Sequence, residues 1–270
     1  MRTKQECLLA IPFEYIIAFS KETRLLRSNG YCTKKDFVQH LLRSLNIHEC
    51  ERLYQFYAEG RPYREASKYF LAKRPTGYIV SGAFVNYLDK TTHDLGKLFF
   101  EFPIANTRVD ILRLNGSSYA YEVKSQRDRL DRLRFQLPAA RKLFEYVSVI
   151  FPLSLKNKVM EIVDGNVGLY SFDIRDEQPI FEVEKEQTKN DEIYPEAQLD
   201  LLRLDELQTM CSNFCEKKPT RLEKNEMIRV ILNNMNWSEA NDAFKKVIQK
   251  RVCVPSRSSL LIKGTFNRFC

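Results

Sequence analysis

Residues 108–125 read RVDILRLNGSSYAYEVKS, two apolar runs around Asn115-Gly116. An Asn-Gly step flanked by alternating hydrophobics is a strong hairpin signal. The pattern predicts strands over RVDILRL (108–114) and YAYEVKS (119–125). Each strand carries charge where a core would favour an apolar residue. Asp110 interrupts the first, and Glu122 and Lys124 interrupt the second. Side chains alternate along a strand, so Glu122 and Lys124 share one face about 7 Å apart, and Tyr121 and Val123 take the other. With the strands paired, Asp110 falls on the Glu122 face at about 5 Å.

Two carboxylates and an amine then converge. Left alone, the carboxylates repel each other and each loses water. A divalent cation relieves both problems. Mg²⁺ prefers oxygen ligands and keeps several waters, so one or two carboxylates suffice. Asp110 and Glu122 are therefore candidate ligands for Mg²⁺ or Mn²⁺, with the Val123 carbonyl as a further one. Lys124 is a candidate to orient an attacking water or offset charge on a phosphodiester. A surface hairpin with one wet face also carries charges of this kind, and spacing alone does not separate the two readings.

Working outward, LFFEF (98–102) reads as a short strand holding Glu101, preceded by a helical pattern over 82–97. Downstream, Leu130, Leu133, Leu137, Ala140 and Phe144 mark a helix, with Pro138 expected to kink it. YVSVIFP (146–152) reads as a strand buried on both faces, and VGLYSFD (167–173) as a last strand. The order of helix, three strands, helix and strand implies an α/β fold with a mixed sheet flanked by helices. The strand after the crossover is expected to run parallel to an earlier one.

Residues 1–80 read as a helical N-terminal region. Thr33 with Asp36 resembles a capping box ahead of a stripe of Phe37, Leu41, Leu42 and Leu45. Further helices are expected over 50–58 and 64–72, followed by the loop KRPTG. The region fits either a small DNA-binding module or a helical cap on the next domain. Residues 81–175 form the expected core. Residues 176–206 hold eleven acidic and three basic residues, so 176–202 reads as a solvated acidic connector. Residues 203–270 read as a helical, basic C-terminal region, free of Asp and Glu from Ala243 onward.

The composition, 44% hydrophobic and 29% charged, is that of a chain with a core to bury. A net charge of +8 suits a polyanionic partner. No apolar run reaches membrane-spanning length, and Glu6 and Glu14 interrupt the apolar N-terminus, against a signal peptide. Seven cysteines without a CxxC suit reduced thiols and a cytoplasmic setting. Cys211 and Cys215, four apart, supply at most half a zinc site. No GxxxxGK[ST] or kinase-type glycine loop is present, and the three histidines have no metal-ligand spacing.

Asp110, eleven intervening residues and then Glu122-Val123-Lys124 resemble the D…(E/D)xK signature of the PD-(D/E)xK nuclease superfamily. The segment YEVKSQRDRLDRLRFQ (121–136) is similar to a bacterial subgroup of it, and LLRLDELQTM (201–210) looks like that subgroup's C-terminal part. The resemblance implies a restriction-endonuclease-like core, with Asp110 and Glu122 as metal ligands and Lys124 as the catalytic lysine. It implies an additional acidic ligand at Glu101 and a site-facing glutamine at Gln136. Two departures stand out: Val109 occupies the place of the signature proline, and Ala140 a tyrosine position of some subgroups.

Around the motif, Arg127, Arg129, Arg132 and Arg134 make the next helix basic, and Lys245 and Lys246 lie in the acid-free tail. Arginine pairs bidentately with phosphate, so these six are the candidate nucleic-acid contacts. The expected function is metal-dependent phosphodiester hydrolysis, with DNA as the substrate, and the resemblance implies a bacterial setting of restriction, defence, repair or mobile elements. Two rivals remain: a nuclease-like module that binds nucleic acid or a partner without cutting, and a helper subunit contacting a protein partner or a second copy of itself.

Overall fold

The computed structural model describes residues 3–23, 38–39, 41–42, 45–73, 77–126, 128–163, 165–175, 178–215 and 222–251. The expected capping box at Thr33 and Asp36, and Arg127, lie outside these. The chain divides into two compact units, Met1–Ile79 with Ile174–Pro179, and Val80–Asp173 with Ile180–Cys270.

The first unit contains helices α1 (Lys4–Ala10), α2 (Phe13–Thr23), α3 (Ile47–Ala58) and α4 (Tyr63–Lys73). Reciprocal capping starts two of them. Thr3 and Asn46 accept from the backbone of Glu6 and Glu49, whose carboxylates accept from the cap N–H groups at 2.7 Å. Cys50, Leu53 and Phe56 bury one stripe of α3, and Phe19 meets Phe70 edge-on at 5.0 Å. These residues share a core of their own with Leu8, Ile11 and Leu41.

The second unit is built on six strands: β1 (Lys97–Ile104), β2 (Thr107–Asn115), β3 (Ser117–Val123), β4 (Tyr146–Pro152), β5 (Gly168–Arg175) and β6 (Gln178–Lys185). They lie side by side in chain order. β1, β2 and β3 pair antiparallel, whereas β4 runs parallel to β3 and β5 parallel to β4. The sheet is mixed, and the parallel crossover is the one expected. Gly116, at φ 68°, makes the turn between β2 and β3.

Helix α5 (Gly77–Thr91) stops six residues short of the expected end at Lys97. Gly96, at φ 66°, lies in the connection to β1, where an added Cβ would lie 2.2 Å from the Leu114 carbonyl oxygen. Only glycine lets the chain pass this close as it enters β1. Phe84 of α5 meets Tyr121 and Tyr170 edge-on, each at 5.1 Å, and covers one sheet face.

The other face packs on α6 (Leu133–Arg141), through Leu133, Leu137 and Ala140 against Leu112, Leu114 and Ala120. Pro138 does not break α6: it and Arg134, whose carbonyl loses its donor, both lie at exposed positions of the helix. After α7 (Lys156–Ile162) and α8 (Pro195–Asp200) come α9 (Leu204–Cys211), α10 (Lys224–Asn234) and α11 (Trp237–Lys250). Leu207, Met227, Ile231, Phe244 and Ile248 join the same core as α6.

One expectation about organisation is corrected. Residues 176–202 are not a solvated connector, because β6 and α8 lie within them and Phe181, Ile193, Gln198 and Leu199 are buried. The described helices of residues 203–270 complete the core beneath the sheet. Of the acids on β6, Glu182 is exposed and Glu184 is tied to Lys156 and Ser171, so net charge concealed a strand.

Lys245 is buried on α11. Its Nζ lies 3.2 Å from both carboxylate oxygens of Glu145 and donates to the Gly116 carbonyl at 2.9 Å. Glu145, 3% exposed, also accepts from the N–H and hydroxyl of Ser118. The lysine thus ties α11 to the β2–β3 turn. Among the described residues no helix is long and apolar enough to cross a membrane.

Candidate active site

The β2–β3 register pairs Leu112 with Ala120 and Ile111 with Tyr121. One step further sets Asp110 across from Glu122. The Val123 N–H donates to Asp110 Oδ2 at 2.6 Å and fixes that carboxylate against the end of β3. The Lys124 N–H donates to the Ile150 carbonyl at 2.8 Å, so β4 anchors the residue just past the strand. The Lys124 Nζ donates to Glu122 Oε1 at 2.8 Å and to Gln136 Oε1 at 2.7 Å. Gln136 Nε2 donates in turn to Glu122 Oε1. Helix α6 therefore brings Gln136 onto the face shared by Glu122 and Lys124.

The wet-face alternative does not hold. Glu122 is 7% exposed and Lys124 4% exposed. A buried carboxylate with one amine beside it, and a second carboxylate opposite, is costly for a surface hairpin to hold. Burial, and next the Glu122 charge, push the Asp110 carboxyl up to about 8, against the pull of the Val123 N–H. Burial likewise raises the Glu122 carboxyl, with Lys124 and Gln136 opposing.

Glu101 sits at the rim. The β1–β2 ladder pairs Phe100 with Ile111 and Phe102 with Val109, and skips the Glu101–Asp110 step between them. Glu101 has φ 53°, a conformation that costs a non-glycine residue of order 1 kcal/mol or more. Its carboxylate lies 3.6 Å from the Arg108 guanidinium, and its charge contributes to raising Asp110. Counting one step on from the paired residues, Glu101 on β1 and Glu122 on β3 fall to either side of Asp110 on β2, although neither step is itself paired.

The residues present fit a hard divalent cation. Their donors are oxygens, the carboxylates of buried Glu122 and half-buried Asp110 outnumber the one adjacent amine, and Mg²⁺ needs no more than one or two of them with water completing its shell. Among the described residues no three Asp, Glu, His or Cys side chains gather closely enough to hold a metal ion. Val123 reaches the site through its amide, with its side chain buried. Cys211 and Cys215 lie 3.2 Å apart at their sulfurs, with burial raising the Cys211 thiol to about 11.

The expected phosphate contacts divide. Arg129, Arg132, Arg134 and Lys246 are exposed. Arg129 pairs with Asp131 at 2.6 Å, and the Arg132 charge is felt at Glu122. Lys245 is withdrawn from this set, because its amine is spent on Glu145 inside the fold. The Ser118–Glu145–Lys245 network was not legible in the sequence, where Glu145 reads only as an acid in a basic helix.

Residues 78–267, more than two thirds of the chain, match the family described as Bacteriophage P4 protein cII. No curated protein and no solved structure matches the chain.

Proposed function

The chain belongs to the bacteriophage P4 protein cII family, and we propose that it is a metal-dependent nuclease with a restriction-endonuclease-like core, acting on DNA. One observation carries the reading: Glu122 Oε1 accepts from both Lys124 and Gln136, with Asp110 opposite in the register. Asp110 and Glu122 would hold Mg²⁺ or Mn²⁺, with Glu101 and the Val123 carbonyl as further oxygen donors. The chemistry such a cation supplies is Lewis-acid polarisation of a phosphoryl oxygen and a more acidic water.

The protein's own groups have separate tasks. Lys124 has three N–H donors, and Glu122 and Gln136 take two. The third is available to an attacking water or to the charge that builds on a phosphodiester in its pentavalent state. Gln136 is a positioning residue, because its amide holds the lysine and the carboxylate at once. Burial excludes competing water from this donor set and strengthens its electrostatics. Arg132 and Arg134 stand outside as contacts to backbone phosphate.

A second reading, a nuclease-like module that binds without cutting, draws on the closed Glu122–Lys124–Gln136 triangle and the absence of three gathered ligands among the described residues. Incubating the purified chain with plasmid, single-stranded DNA and RNA, each with Mg²⁺, Mn²⁺ or EDTA, separates the two. The proposal expects DNA cleavage with either cation and none in EDTA or with Asp110→Ala. Cleavage that persists in EDTA would sink the metal-dependent mechanism. Binding without cleavage in every cation would select the second reading.

A further inference from the structure

Phe135 is 79% exposed, whereas no other large exposed apolar side chain among the described residues passes 54%. Burying a phenylalanine is worth about 1.5–3 kcal/mol, so its outward placement does nothing for the fold. Its position on α6 is specific. Leu133, Leu137 and Ala140 face the core, and Gln136 on the flank bonds Lys124 and Glu122. Arg132 lies one turn before Gln136 and three residues before Phe135, a spacing that makes them surface neighbours on a helix. Its charge reaches Glu122. A strip thus runs from the buried carboxylate and lysine, past Gln136 and Arg132, to Phe135.

We infer that Phe135 is a base-stacking residue that makes single-stranded DNA the preferred substrate, an inference that rests on the nuclease reading of the adjoining site. Charge identifies the occupant: Arg132, three residues before the ring, and Arg134 on the same helix are exposed guanidiniums, and the acid four residues before the ring, Asp131, is already paired with Arg129 at 2.6 Å. A chain whose phosphates meet these guanidiniums presents bases within reach of the same helix surface. The pairing then selects strandedness. In a duplex each base is stacked on both faces, and opening it costs free energy, whereas an unpaired base has a face to offer an aromatic ring. Stacking tolerates any base, so the preference is for strandedness and not for sequence.

Fluorescence anisotropy with labelled single-stranded and duplex oligonucleotides of one sequence, in Ca²⁺ to hold off cleavage, tests this. Phe135→Ala is expected to bind the single strand roughly tenfold more weakly, the effect of losing one stacked base. Its duplex affinity and melting temperature should stay unchanged. Phe135→Tyr should retain binding. Phe135→Trp should gain emission that single-stranded DNA quenches, over the background of the one native tryptophan, Trp237. Unchanged single-strand affinity in Phe135→Ala, or an equal loss on duplex, overturns the inference and leaves the nuclease reading intact. Failure of the native chain to bind single strands also overturns it. If the native chain in addition fails to cut duplex DNA with Mg²⁺, the nuclease reading falls with it.

Discussion

Asp110→Asn is expected to melt at a higher temperature than the native chain at pH 8 and above, while its cleavage falls by more than about 100-fold. The activity loss exceeds what the outer partners of metal ligands typically contribute, because Asp110 is itself a ligand in this account. The thermal gain comes from linkage. The folded chain holds a proton on Asp110 up to about pH 8, whereas the unfolded chain releases it near 3.8. Between those values the folded state binds more protons, so stability falls as pH rises through the window and the full penalty stands above 8. Asparagine does not ionise, and its carbonyl can still accept the Val123 N–H. The gain should be near zero at pH 4 and grow with pH to at most about 6 kcal/mol at pH 8, the size of a shift of about four pKa units. Thermal melts across this pH range measure it, and a gain that shrinks toward pH 8 would contradict it.

Lys245→Ala is expected to cost about 3–5 kcal/mol of stability, the typical result of leaving a buried carboxylate without its partner. Glu145 would keep Ser118 but lose the amine 3.2 Å from it, and the Gly116 carbonyl would lose a donor. Lys189, 3.7 Å from Glu145 and half exposed, is placed to compensate only in part. The double variant Glu145→Gln with Lys245→Met should recover most of the loss, since it removes both charges at similar volume. Urea unfolding followed by circular dichroism reports both values. A loss under about 1 kcal/mol for Lys245→Ala would mean that the pair behaves like a surface ion pair.

These two lysines show what the sequence made legible. Lys124 was readable because strand alternation and the spacing from Asp110 placed three charges on one face before any packing was known. Gln136 followed only from resemblance, because helix periodicity puts it beside the core stripe without saying which strand end it meets. Lys245 was misread, since a basic tail free of acids gives no sign that one amine turns inward to an acid a hundred residues away. β6 was missed for a related reason: Phe181 alone anchors it deeply, and the acids along it and beside it dominate composition. Glu101 was legible as a candidate, but its left-handed backbone and its place at the rim depend on how β1 meets β2.

The most direct test of the account is the single-turnover cleavage rate of DNA by the native chain and by Lys124→Ala, with DNA binding measured on the same preparations. The account predicts equal binding and a rate lower by about 10²–10³-fold or more, the scale of losing one preorganised donor to the developing charge. A Lys124→Ala variant that binds and cuts like the native chain would contradict it.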